Sequence, residues 1–461
     1  MDSTLTTPAS QEIRDIRARR GPLRVAVIGT NGCARSHHEA LGVLEAEGHC
    51  EVVGTCDPWA CQGVRPAHVK PGMAIHPDHR SMLSALAGQA DYVVVPTPIH
   101  LHGDMHRDVL AAGFACYLEK PPTLDPAELE AMLKVEAAAP RASFIGFSHL
   151  FRPEYSALKA RILGGEFGPL REVELLAMWP RTGAYFQRNS WAGRLRFQDR
   201  LILDSCLGNG MAHHVHNCLF WCGADGLWTW GRVESLRAHL YRINRIEAPD
   251  SVFLEARSAA GVRLRMALSH ACSVSRTEEV LRCERATIRI AYGHDAGIAI
   301  EPVQGAAEHI PLREKNGYVE NHRWYADYLL GRRERPCTLL SDCRALVELN
   351  ALTYVSAGGI QSVPPGRIGV FRRHGDDGLQ IHGVEEMAVE FLHDGLPPDF
   401  GGTSTSLSRE VAERELPALV PTIAQMLEAR CLAPDGRQDA HAVRPAVAMA
   451  RQPLLSGIDL P

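Results

Sequence analysis

No stretch of the 461 residues approaches the ~18 consecutive apolar positions of a membrane span, and the polar segment Met1 to Arg20 lacks the apolar core of a secretion signal. A cytoplasmic protein with no membrane partner is therefore expected. Basic excess is lacking too: the formal net charge is -5 and no long Lys/Arg run occurs, which argues against nucleic acid as a partner. Nor is there a Cys-x-x-Cys pair. The thirteen cysteines, an odd number, lie scattered through apolar segments and fit reduced, buried thiols better than a disulfide framework. No internal repeat is found. What remains, at 45% hydrophobic and 22% charged residues, is an ordinary globular composition long enough for two or more domains.

From Leu23 the chain alternates strand and helix patterns: Arg24 to Ile28, Ser36 to Glu47, Cys50 to Thr55, Asp91 to Val95, His102 to Ala112, Phe114 to Leu118, Asp125 to Ala138 and Ser143 to Gly146. Helix-length crossovers between apolar strands demand a parallel sheet covered on both faces, so residues 23–150 read as a doubly wound α/β nucleotide-binding domain. After Phe151 the runs Leu170 to Trp179, Leu227 to Leu240, Ser251 to Ser258 and Val262 to Ser269 look like longer strands joined by hairpins. Helices at Tyr155 to Leu163, Asn209 to Cys222, His322 to Leu330 and Cys343 to Gly358 accompany them. Residues 151–365 are thus expected to form an α+β domain with a mostly antiparallel sheet. Residues 1–22 form an N-terminal extension. Residues 366–461 form a C-terminal one, with helices at Val384 to His393 and Ser408 to Ala429, expected to pack on the second domain.

Two short stretches bear on chemistry. Tyr117-Leu118-Glu119-Lys120-Pro121-Pro122 ends an apolar run with a carboxylate and an ammonium, and the prolines cannot continue a sheet ladder. Glu119 and Lys120 are therefore placed at a strand's carboxyl end, where open α/β sheets bind ligands, although taken alone these residues also fit an exposed ion pair in a turn. Gly29-Thr30-Asn31-Gly32-Cys33-Ala34, between a predicted strand and a predicted helix, is a variant of the glycine loop that brings backbone N–H groups to a pyrophosphate. Asn31 stands in the middle glycine's place. Asp57, ending the next strand, can accept from a ribose 2′-hydroxyl and would repel a 2′-phosphate, so NAD is expected over NADP.

Together these residues resemble the Gfo/Idh/MocA oxidoreductases over most of Leu23 to Pro364. The resemblance rests on the glycine loop followed by His37, on Asp57, on Thr97-Pro98-Ile99-His100-Leu101-His102, on Ala111-Ala112-Gly113 leading to Glu119-Lys120-Pro121, and on Phe151-Arg152-Pro153 before Gly164-Gly165-Glu166. It implies an N-terminal Rossmann domain, a C-terminal open-faced sheet and chemistry on sugars, cyclitols or polyols. Gly29, Asn31, Gly32, Cys33, Ala34, Asp57, Thr97, Pro98, His100, His102, Glu119 and Lys120 would surround the cofactor. It also implies a homo-oligomer formed through the exposed sheet face. A second signature is similar to Asn209-Gly-Met-Ala-His213, with His216 beyond it, but the usual preceding glycine triplet is replaced by Leu201 to Gly208.

On one helix, Asn209, His213 and His216 would share a face, the geometry of a grip on a hydroxyl. His213 is expected as general base, Asn209 as the residue that orients it or the substrate, Lys120 as a donor to the substrate oxygen with a share in proton transfer, and Arg152 and His216 as substrate contacts. The histidines and cysteines from His213 to Cys222 do not complete a zinc ligand set, so no metal is expected. The leading function is a hydride-transferring dehydrogenase. An NAD-dependent glycosidase using transient oxidation and a nucleotide-binding regulator are the alternatives, and the bland alternative for His213 is a core histidine.

Overall fold

Leu23 to Ile28 is buried at every position except Arg24, as a strand covered on both faces requires. In the computed structural model, which describes residues 21–400 and 407–431, this strand is β1 (Leu23–Ile28) at the centre of the first sheet. There follow α1 (Cys33–Ala46), β2 (Cys50–Cys56), β3 (Ile75–His76), α2 (His79–Ala85), β4 (Tyr92–Val95), α3 (Ile99–Ala111), β5 (Ala115–Leu118), α4 (Pro126–Glu136) and β6 (Phe144–Ile145). The order is β3-β2-β1-β4-β5-β6, and every pairing is parallel. Chain direction along the sheet reverses between β1 and β4, which opens a crevice at their carboxyl ends. The Asp125 side chain caps α4 by accepting from Ala127 N at 2.9 Å.

The second unit contains α5 (Pro153–Leu163), β7 (Leu170–Met178), α6 (Gly183–Gln187), β8 (Arg196–Phe197), β9 (Arg200–Leu201), α7 (Ala212–Cys222), β10 (Val233–Arg242), β11 (Ser251–Ser258) and β12 (Arg263–Ser269). It continues with β13 (Arg276–Cys283), β14 (Ala286–Ala291), β15 (Gly297–Pro302), β16 (Glu308–Pro311), α8 (Gly317–Leu329), α9 (Arg344–Ala357) and β17 (Gln361–Ser362). Nine strands form one sheet, β16-β15-β14-β13-β7-β12-β11-β10-β17. Only the β7–β12 and β10–β17 pairs are parallel. The fold is thus a Rossmann sheet followed by a mostly antiparallel one.

The described part of the C-terminal extension holds the hairpin β18 (Ile368–Arg373) and β19 (Asp376–Ile381), then α10 (Val384–Asp394) and α11 (Leu419–Cys431). Val384, Ala388 and Phe391 of α10 join Met178, Phe253 and Ala267 of the sheet in one buried cluster. The sheet face expected to be open is therefore covered across its middle strands. Self-association through that face would have to use what α10 leaves free.

Three expected elements are corrected. The helix foreseen from Asn209 is interrupted: Cys206–Gly210 is a π turn, Met211 leaves helical geometry (φ -108, ψ 17), and α7 starts at Ala212. Asn209, His213 and His216 consequently do not share one helical face. The helix foreseen from Ser408 begins only at Leu419, after a 3₁₀ segment containing Pro417. The strand foreseen from Leu227 begins at Val233, because Trp228 and Trp230 turn instead onto Phe220. Residues 1–20, 401–406 and 432–461, which take in most of the N-terminal extension and the end of the C-terminal one, lie outside the described residues.

Candidate active site

The glycine loop leaves β1 with Gly29 at φ +99 and Gly32 at φ +58, left-handed conformations that side chains rarely adopt. Gly32 precedes α1 without any side-chain cap, and a Cβ built on it meets nothing within 4 Å. An uncapped helix N-terminus facing open space fits a pyrophosphate. Two histidines hold the loop from behind: His38 Nε2 lies 3.1 Å from Gly29 O and His68 Nε2 lies 2.5 Å from Thr30 O. Burial lowers the His38 pKa to about 4. At the carboxyl end of β4, Thr97 Oγ1 and His100 Nδ1 are buried without a hydrogen-bond partner in the described chain. Orphaned polar atoms at the sheet's crevice are what a bound dinucleotide would satisfy. His102 bridges Thr97 O at 2.7 Å and Pro121 O at 2.9 Å, tying this loop to the Glu-Lys-Pro turn. Burial lowers its pKa against the pull of those carbonyls.

Asp57 ends β2, but its carboxylate is occupied. Oδ2 accepts from Thr30 N at 3.2 Å and Thr30 Oγ1 at 2.7 Å, while Oδ1 accepts from Trp59 N at 2.9 Å and Ala60 N at 3.0 Å. These four bonds fill the acceptor capacity expected to take a ribose hydroxyl. Burial opposes ionisation, yet the bonds hold the carboxyl below its usual range. Arg65 is tied to Lys70 O at 2.9 Å and Met73 O at 2.6 Å.

Lys120 follows β5, and its peptide to Pro121 is cis. Its Nζ donates to Asn209 O at 3.0 Å and to Asn209 Oδ1 at 3.2 Å, across the junction of the two units. Asn209 Nδ2 in turn donates to Asp204 Oδ1 at 2.7 Å. Desolvation lowers the Lys120 pKa, with Glu119 as the leading opposing influence. The irregular π turn is what aims both oxygens of Asn209 at one ammonium. Asp204, five residues earlier within the stretch that replaces the glycine triplet, escapes a sequence reading centred on the Asn209–His213 spacing.

His213 stands at the start of α7, where its Nδ1 accepts from Ser148 N at 3.0 Å. Burial holds it neutral, helped by the Lys120 charge. A neutral ring whose Nδ1 accepts carries its proton on Nε2. His216 belongs to the core: its ring stacks on Phe147 with centroids 4.0 Å apart and lies against Trp230 at 5.0 Å, and neither nitrogen has a hydrogen-bond partner in the described chain. Burial lowers its pKa to about 3. Arg152 caps no helix with its side chain and instead donates to Arg313 O at 2.7 Å.

Behind Lys120, Glu119 Oε2 accepts from Lys120 N at 3.1 Å, and Oε1 lies 3.1 Å from His37 Nε2. His37 Nδ1 faces His322 Nε2 at 3.0 Å, and His322 Nδ1 faces Tyr92 OH at 3.2 Å. A carboxylate only accepts, so with both rings neutral the bonds run one way, from Tyr92 through His322 and His37 to Glu119. Gly146 makes room for this chain, since a Cβ there would lie 2.4 Å from Glu119 Oε1. The donor atoms of Cys33, His37 and Glu119 lie within 4.8 Å of one another. Both nitrogens of His37 are engaged and burial pushes the Cys33 thiol up, so the set reads as a hydrogen-bonded cluster.

Residues 23–147 match the model of the Gfo/Idh/MocA oxidoreductase family, described as an NAD-binding Rossmann fold. The N-terminal domain is a Gfo/Idh/MocA domain. An inositol 2-dehydrogenase of Leifsonia xyli subsp. xyli is 34% identical over 189 residues, 40% of this chain and 49% of that protein. The inositol 2-dehydrogenase of Rhizobium meliloti is 34% identical over 95 residues, 21% of this chain and 28% of that one. The chain thus spans about half or less of the curated relatives it matches. The WlbA dehydrogenase of Chromobacterium violaceum, solved with NADH and UDP-GlcNAcA, aligns over 73% of this chain and 94% of its own. With 21% identity and a TM-score of 0.58, it shares the two-unit fold. The likeness in fold to that dehydrogenase therefore extends beyond the first domain.

Proposed function

We propose that the protein is an NAD-dependent dehydrogenase acting on a hydroxyl of a sugar, cyclitol or related polyol. The observation that carries this reading is Lys120 Nζ, held by two oxygens of Asn209 at the crevice edge near His213. The residues around Gly29, Gly32, Thr97 and His100 would hold the nicotinamide dinucleotide, which when bound supplies the hydride acceptor. The chain's own task is the hydroxyl proton. Lys120 commits two N–H bonds to Asn209 and has its pKa lowered by burial, so a neutral amine keeps a lone pair for that proton. His213, protonated on Nε2, then serves as hydrogen-bond donor to the substrate oxygen. This moves the base from His213, where the sequence put it, to Lys120. Asn209 positions Lys120, and Asp204 positions Asn209.

NAD is favoured over NADP by the pinned Asp57 carboxylate, which repels a 2′-phosphate, and by an Arg65 spent on backbone carbonyls. The named activity of the inositol 2-dehydrogenase relatives supports a polyol substrate. The unpaired thiols of the described cysteines support a cytoplasmic setting.

The test is incubation with NAD and a panel of sugars, cyclitols and aryl glycosides. Growth of the reduced-nicotinamide absorbance with a polyol is the expected result. Phenol release without net NADH would replace the reading with a redox-assisted glycosidase, and cofactor binding with neither would leave a regulator.

A further inference from the structure

The side chains beyond Asn209 on the second unit's side are basic and aromatic. Gly210 abuts His270, since a Cβ on the glycine would lie 2.5 Å from His270 Nε2. His270 contacts Tyr185 of α6, with ring centroids 5.7 Å apart. Two guanidiniums flank that tyrosine: Arg188 Cζ lies 3.8 Å and Arg181 Cζ 4.5 Å from the ring centroid. Arg188 feels Lys120 and Arg181 electrostatically, and Arg373 of β18 adds to the field at Arg181.

The acidic side is thin. Asp204 is the carboxylate nearest Arg188, 3.8 Å away, and its oxygens already accept from Gly193 N and Asn209 Nδ2, both at 2.7 Å. Arg181 forms no ion pair among the described residues; its side chain bonds to Tyr185, while its Nε is buried without a hydrogen-bond partner there. Arg181 is half-buried and Arg188 exposed, so both can reach a ligand from solvent, and a guanidinium offers a planar fork suited to an oxyanion. The arrangement is held in place from outside the pocket. Asp376 of the β18–β19 hairpin accepts from Ala184 N at 2.8 Å, and Thr182 bridges to Gly378, so the C-terminal extension braces α6.

We propose that Arg181 and Arg188 form an anion subsite beside Lys120 that takes the carboxylate or phosphate of an acidic sugar or polyol. The proposal rests on the dehydrogenase reading for the rest of the substrate, but its test reads binding and needs no turnover. Calorimetric titration of the NADH-loaded protein would compare glucose with glucuronate and with glucose 6-phosphate. At least one anionic ligand is expected to bind tenfold or more tightly than glucose, and which of the two does so distinguishes carboxylate from phosphate. Arg181→Met and Arg188→Met should each remove most of that preference and leave glucose binding unchanged. Arg181→Lys, which keeps the charge, should retain part of the preference and guards against a folding defect.

Equal affinity for all three ligands, no measurable binding of either anion at millimolar concentration, or a preference that survives both methionine variants would overturn the subsite. A tightly bound anion together with no NADH from any polyol of the panel would overturn the dehydrogenase reading and leave the subsite standing. Turnover of glucose without any anion preference would do the reverse.

Discussion

At Lys120 the balance lies between burial, which disfavours the ammonium, and Glu119, which favours it; burial wins and the pKa falls below 10.5. A base works deprotonated, so the rate of polyol oxidation should rise with pH and level off above the Lys120 pKa. Lys120→Met should lower kcat by roughly 10²-fold or more, abolish that limb of the profile and leave NADH affinity nearly unchanged. Steady-state kinetics across pH with direct NADH titration checks all three outcomes. Asp204→Ala removes the acceptor that fixes Asn209 and should lower kcat by roughly tenfold, with the limb shifted rather than lost. At Asp57 the expected outcome is weaker binding of NADPH than of NADH, read by calorimetry. The carboxylate is held ionised by four donors and cannot move away from a phosphate at little cost.

Among the elements, α7 combines a functional end with a structural body. His213 in its first turn faces the pocket junction, whereas His216 one turn later is sandwiched between Phe147 and Trp230. His216→Phe keeps the stack and deletes two buried nitrogens that lack partners, so it should leave the thermal midpoint unchanged or raised and activity intact. A large loss of activity would return His216 to the substrate site. The β6 end makes the opposite case. Gly146→Ala drives a methyl to 2.4 Å from Glu119 Oε1, and that carboxylate cannot retreat because His37 and Lys120 N hold it. This variant should lose stability by about 1–3 kcal/mol in urea unfolding and lower kcat through the displaced Lys120 turn.

For the whole molecule, the buried neutral histidines couple folding to pH. Burial lowers the pKa to about 4 at His38 and to about 3 at His216 and His270, whereas each returns to ~6.5 when the chain unfolds. The unfolded chain thus binds more protons between these values. Their contribution to stability is complete above about pH 6.5 and is lost as pH falls toward 3–4. Urea midpoints should fall between about pH 6.5 and pH 5, before most carboxylates titrate. The sequence by itself determined the doubly wound sheet and the place of Lys120, because a strand's apolar run and the prolines that end it are local signals. It determined the glycine loop for the same reason. It did not reveal that Asp57 is already saturated, that Asn209 sits in a π turn, or that α10 covers the sheet. Nor did it reveal that Arg188 and Asp204 come close enough to act on the Lys120 charge, or that Arg181 and Arg188 flank one tyrosine ring. Those facts depend on which donors meet which acceptors across the fold: Lys120 reaches Asn209 over 89 positions, and His37 reaches His322 over 285. Spacing along a chain fixes which face a residue takes on its own element, but only packing decides what stands opposite it.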